Sequence, residues 1–204
     1  MKDFIKKNYG WLIVSLISVG QLGIIISLID FSDGITFLPS EEWPNMSGPD
    51  FMVKITGEIA MRWLAAVLLA TPVTILTGLN STLCRQSMGI SAAVFSFLHL
   101  IAFSMNEGFM ATFSEFNFIA GFIATVILVP LFLTSNRRSM RVLKKSWKKI
   151  QQFSYAAVVL AIVHLAALED IWIVYAVVIG LGFVMRYKPV KEKIIAKRIK
   201  VIGK

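Results

Sequence analysis

MGISAAVFSFLHLIAFSM (residues 88–105) and FSYAAVVLAIVHLAAL (residues 153–168) decide how this chain is read. Both are apolar runs of helical length, and each holds one of the chain's two histidines, His99 and His164. An ionisable side chain inside a bilayer is costly and marks a functional site by default. At offsets −7, −3 and +3 from His99 stand Ala92, Ser96 and Ala102. From His164 the same offsets give Ala157, Ala161 and Ala167. Such offsets share one helical face. Each helix therefore presents an imidazole on a strip of small residues, with room for a flat group. Neutral imidazole is a common axial ligand of haem iron.

The rest of the chain is built like these two segments. It has 204 residues, 56% of them hydrophobic, with a mean hydropathy of +0.72. That exceeds an ordinary soluble domain. At about 20 apolar residues per crossing, the chain accommodates six spans and little else. They are expected at residues 9–29, 59–79, 88–105, 116–133, 153–168 and 171–187. Only the 31–57 connection is long, so residues 1–204 form one domain. The expected fold is an all-α polytopic membrane protein, a six-helix bundle. Pro72 and Pro130 fall inside the second and fourth helices, where a proline either kinks the helix and opens space between neighbours or serves packing alone, and packing is the preferred reading. No internal repeat is visible.

The net charge of +9 is distributed in a way that excludes a nucleic-acid partner. Lys2, Lys6 and Lys7 precede the first helix and Arg85 precedes the third. Seven Lys or Arg residues lie within 137–149, and eight more run from Arg186 to Lys204. The acids cluster in the alternate loops: Asp30, Asp33, Glu41, Glu42, Asp50 and Glu58, then Glu107 and Glu115, then Glu169 and Asp170. This is the positive-inside pattern. It puts both termini in the cytoplasm and the basic loops against anionic membrane lipid. The first apolar run is too long for a signal peptide and lacks a small-residue cleavage site, so it reads as an uncleaved helix. Cys84 is the only cysteine, which rules out an intrachain disulfide.

His99 lies seven residues before Asn106 and His164 five before Glu169. At 1.5 Å per residue these positions are roughly 10 Å and 8 Å below the outer helix ends. One haem ligated from both faces requires such a match in depth. A bare zinc site needs three or four protein ligands, which the sequence does not offer. The lack of a C-x-x-C-H motif excludes c-type attachment, leaving haem b. Arg62, inside the second apolar run, has two candidate partners: Glu58 one turn away, or a haem propionate. The expected cofactor-binding set is His99 and His164 as metal ligands, with Arg62, Ala92, Ser96, Ala157 and Ala161 around them.

Four segments carry a resemblance: TGEIAMRWLAAVLLATPV (56–73), CRQSMGISAAVFSFLHLIAFS (84–104), GFIATVILVPLFLTSNRRSMRVLKKSWKKIQQFSYAAVVLAIVHL (121–165) and VMRYKP (184–189). Their most specific features are the interval from Gly89 to His99 and the series Trp147, Tyr155, His164. Together they resemble the ferric-reductase-like transmembrane family, closest to the haem-binding membrane subunits of bacterial methionine sulfoxide reductase systems. The resemblance implies one haem b on His99 and His164, and admits an FMN. It implies electron transfer across the bacterial cytoplasmic (inner) membrane from a cytoplasmic flavin reductase or the quinone pool. The implied acceptor is a periplasmic MsrP-like molybdoenzyme, where the substrate chemistry resides. Two positions depart from the family pattern: Gln151 stands where histidine is usual after the Trp147 motif, and Arg85–Gln86 where two arginines are usual. The alternative reading is a haem-bearing accessory subunit of a larger membrane complex. A transporter is disfavoured, because the helices carry almost no charge to couple to.

Overall fold

The computed structural model describes residues 2–32, 34–41, 43–79, 81–168 and 171–202. Asp33, Glu42, Glu169, Asp170 and Lys204, which entered the charge pattern, lie outside the described residues. Among the described residues eight α-helices follow one another: α1 (Lys2–Ser27), α2 (Gly48–Thr77), α3 (Thr82–Glu107), α4 (Phe116–Thr134), α5 (Arg137–Leu143), α6 (Lys145–Ala166), α7 (Trp172–Arg186) and α8 (Lys188–Ile202). A two-residue β pair, β1 (Ile29–Asp30) with β2 (Thr36–Phe37), runs antiparallel after α1. Its Asp30 carboxylate accepts the Ser32 N–H at 2.9 Å, and that bond holds the carboxyl below its ordinary range.

Helices α1, α2, α3, α4 and α6 are each long and apolar enough to cross a membrane. The pair α7 and α8 meets that test only jointly, with an 80° bend between them. The chain is an all-α, multi-pass membrane protein. Large apolar side chains face outward along the helices, such as Leu16 at 75% exposure and Leu181 at 60%. Lipid is the solvent that makes this arrangement stable.

Several helices are longer than their hydropathy suggests. α2 starts at Gly48, inside the long 31–57 connection. Ser47 caps it by accepting the Asp50 N–H, and Pro49 fills the first turn. Both are helix-start signals. Gly78, in the left-handed region at φ 81°, closes α2 by donating to the Thr74 carbonyl at 2.8 Å. The basic stretch read as a loop holds α5 and the first two turns of α6. The C-terminal basic stretch forms α8, whose Val190, Ile194, Ile195 and Arg198 are half-buried on one face. Arg198 donates to the Thr74 and Ile75 carbonyls at 3.1 and 2.8 Å. The Ile75 carbonyl is an orphan at the negative end of α2, while Thr74 already accepts from Gly78, so the cation satisfies Ile75 and complements the helix dipole.

The core lies between α2 and α3, with Trp63, Leu64, Leu68, Ala92, Ala93 and Phe95 buried in it. α1 joins through polar contacts: Ser18 to Ser91 at 2.7 Å and Trp63 Nε1 to Gln21 Oε1 at 2.7 Å. α7 packs on α2 at Gly182, where a Cβ would come within 3.3 Å of Pro72 and Leu69. Pro72 has no N–H to give the Leu68 carbonyl one turn earlier. Arg186 Nη2 donates to that carbonyl instead, and Nη1 donates to the Tyr155 hydroxyl at 2.9 Å.

Candidate cofactor site

His99 comes from α3 and His164 from α6, and their ring centroids stand 6.1 Å apart at 66° to one another. The two histidines thus meet at one level of the bundle. Each ring is held from behind in the same manner. His99 Nδ1 is 2.9 Å from the Val53 carbonyl of α2, and His164 Nδ1 is 2.8 Å from the Asn117 carbonyl of α4. A carbonyl only accepts, so each Nδ1 carries the proton and donates. Each Nε2 therefore keeps its lone pair, the form in which imidazole binds a metal.

The approach of ring to backbone depends on two glycines. A Cβ on Gly57 would lie 2.9 Å from the His99 ring, and one on Gly121 3.0 Å from the His164 ring. Gly57 follows Val53 by four residues and Gly121 follows Asn117 by four. Residues four apart lie one above the other on a helix, so the missing side chain exposes the carbonyl below it. The α2–α3 and α4–α6 pairs thus build one histidine seat twice. The Thr56 hydroxyl lies 3.5 Å from His99 Nδ1. Phe118 flanks His164 at 6.3 Å between centroids.

The small-residue strips are placed as the spacing suggests near the rings and differently at their ends. Ala92 and Ala157 are buried, while Ser96 and Ala161 are half-buried. Ala102 is buried, whereas Ala167 is exposed at the end of α6. Arg62 is directed to the nearer of its two candidate partners: its Nη2 donates to Glu58 Oε2 at 2.6 Å, and its side chain is 62% exposed. Gly57, Gly121, Val53 and Asn117 have no role in the sequence reading. The glycines carry a signal, being small residues inside apolar runs. The carbonyls carry none, since any residue supplies one.

The two imidazoles suit a shared metal. An imidazole nitrogen binds a first-row metal at about 2 Å. Two imidazoles on opposite sides of one metal then have ring centres about 6 Å apart, as these do. Among the described residues no group of three or more His, Cys, Asp or Glu converges. The donor set therefore fits a metal that brings its other ligands with it, not a bare zinc ion.

Comparison with known proteins agrees with this architecture. Residues 56–162 match the model of the ferric reductase like transmembrane component. The match includes His99 and stops two residues before His164. The chain is 29% identical over 137 residues to the protein-methionine-sulfoxide reductase heme-binding subunit MsrQ of Brucella ovis, and equally to that of Brucella canis. The MsrQ of Brucella melitensis is also 29% identical over 137 residues. These alignments cover 62% of this chain and 62% of each relative. No solved structure matches. The family match spans more than half of the chain, from α2 into α6, and takes in the helices that seat both histidines: the chain belongs to the ferric reductase like transmembrane component family.

Proposed function

We propose that this protein is a haem b-carrying transmembrane electron-transfer subunit, with one haem held between His99 and His164. The single observation that carries the reading is the pair of imidazoles 6.1 Å apart, each anchored through Nδ1 to a helix carbonyl. His99 and His164 would hold the haem, which would supply a one-electron carrier suited to electron transfer. The chain's own residues do the positioning. Val53 and Asn117 fix the tautomer and the ring orientation. Gly57 and Gly121 set the depth of each ring, and Ala92 and Ala157 keep the neighbouring helix faces low. Arg62, held by Glu58 at the protein surface, would serve a propionate only by exchanging that partner.

The MsrQ likeness supports a direction and partners. Electrons would enter from a cytoplasmic flavin or quinol donor and leave to an extracytoplasmic acceptor, a methionine sulfoxide reductase of the MsrP-like molybdoenzyme type. With a negative interior, outward transfer gains about 2.3 kcal/mol per charge per 100 mV. The exposed Arg137, Arg138 and Arg141 of α5, with Lys145, Lys148 and Lys149 of α6, are placed to meet an acidic donor or a flavin phosphate. The same charges also serve topology.

The test is the visible spectrum of the detergent-purified protein, oxidised and dithionite-reduced, with haem quantified. A low-spin b-type spectrum is expected, lost in both His99→Ala and His164→Ala. A spectrum indifferent to both substitutions overturns the reading.

A further inference from the structure

The two helices that carry the histidines carry a second matched pair. Gln86 precedes His99 by thirteen residues, and Gln151 precedes His164 by thirteen. Along a helix that is roughly 20 Å, so the glutamines form a second tier towards the basic end of the bundle. The histidine tier leaves two ring nitrogens free. The glutamine tier spends its donors. Gln86 Nε2 donates to the Ser135 carbonyl at 2.8 Å. Gln151 Nε2 donates to Thr134 Oγ1 at 3.1 Å and to the Leu131 carbonyl at 3.3 Å. Trp147 Nε1 donates to the Thr134 carbonyl at 2.9 Å beside them.

The acceptors explain the arrangement. The last four carbonyls of a helix have no partner within it. Leu131 and Thr134 supply such carbonyls at the end of α4, the first shared with the Ser135 hydroxyl at 2.6 Å and the second with the Asn136 N–H at 2.9 Å, and Ser135 follows at its cap. The Ser135 carbonyl depends on Gln86, and an unpaired carbonyl is destabilising. The two amides and the indole thus complete the capping of α4 that Ser135 and Asn136 begin. What remains is amide oxygen, a hard donor suited to magnesium or calcium, not to haem iron.

We infer that Gln86 and Gln151 limit this chain to one haem: the inner tier is a closed cap on α4, and the identity of these two side chains closes it. The inference rests on the haem reading of the histidine tier. A histidine at each position could donate through Nδ1 to the same carbonyls and keep Nε2 free, as His99 and His164 do. The Gln86→His/Gln151→His variant would then gain a second bis-imidazole seat.

The experiment counts haem per chain in four purified proteins and resolves the components by redox titration. Wild type should hold one haem. The double histidine variant should hold two, the second persisting when His99 and His164 are both changed to alanine. The Gln86→Leu/Gln151→Leu variant should keep one haem but melt at lower temperature, because the Ser135 carbonyl loses its donor. Two haems in wild type overturn the inference, as does a well-folded double histidine variant that still holds one. Should that variant fail to insert, the wild-type and leucine-pair counts decide. A wild type with no haem overturns the proposed function itself, an outcome distinct from either.

Discussion

Gly57 and Gly121 each hold an imidazole against a helix with nothing larger than a hydrogen atom. A methyl group at either position would stand about 3 Å from the ring, and the ring would have to move off its carbonyl. Gly57→Ala and Gly121→Ala are expected to weaken haem retention on the order of 10–100-fold, the usual cost of disturbing a ligand's supporting contact. Haem dissociation to an apo-globin acceptor measures it. Gly20→Ala is the control, since a Cβ there meets nothing within 4 Å. His99 and His164 were legible as candidate ligands because ionisable groups are rare in apolar runs. The glycines were not singled out, because only the tertiary pairing of α2 with α3 and of α4 with α6 brings a ring to them.

The departures at element scale come from helices that are not apolar. α5, the start of α6 and α8 are rich in Lys and Arg, which are good helix formers but lower the hydropathy that locates a span. The junction of α5 and α6 is strained, with Lys144 at φ 47° and ψ −113°. Lys144→Gly is expected to stabilise the protein by about 1–3 kcal/mol, read as a higher unfolding temperature in detergent. Pro72 inside α2 supplies a second expectation. Arg186→Met should cost about 1–3 kcal/mol by orphaning the Leu68 carbonyl. Pro72→Ala returns an N–H to that carbonyl, so the double variant should recover part of the loss. Additive losses in a double-mutant cycle would count against the coupling.

Across the whole molecule, charge asymmetry and the bundle make one prediction together. The positive-inside pattern assigns the α5–α6 junction and α8 to the cytoplasm and the α3–α4 connection to the opposite side. In a Cys84→Ser background, Ser146→Cys should resist a membrane-impermeant maleimide in intact cells and react after permeabilisation. Ser114→Cys should react in both. Both side chains are exposed, so the reverse pattern would invert the topology. The 80° turn from α7 into α8 fits this scheme, because a basic helix turned across the bundle axis lies along a membrane surface.

Periodicity, hydropathy and charge sufficed for an all-helical membrane protein with two histidines at matched depth, since these properties follow from the cost of placing each side chain in lipid or water. Tertiary structure alone decided how each imidazole is held, which arginine binds which carbonyl, and what Gln86 and Gln151 do. Those outcomes depend on backbone groups that every residue carries alike. Only the packing of one helix on another determines which carbonyl is left without a partner and which side chain reaches it.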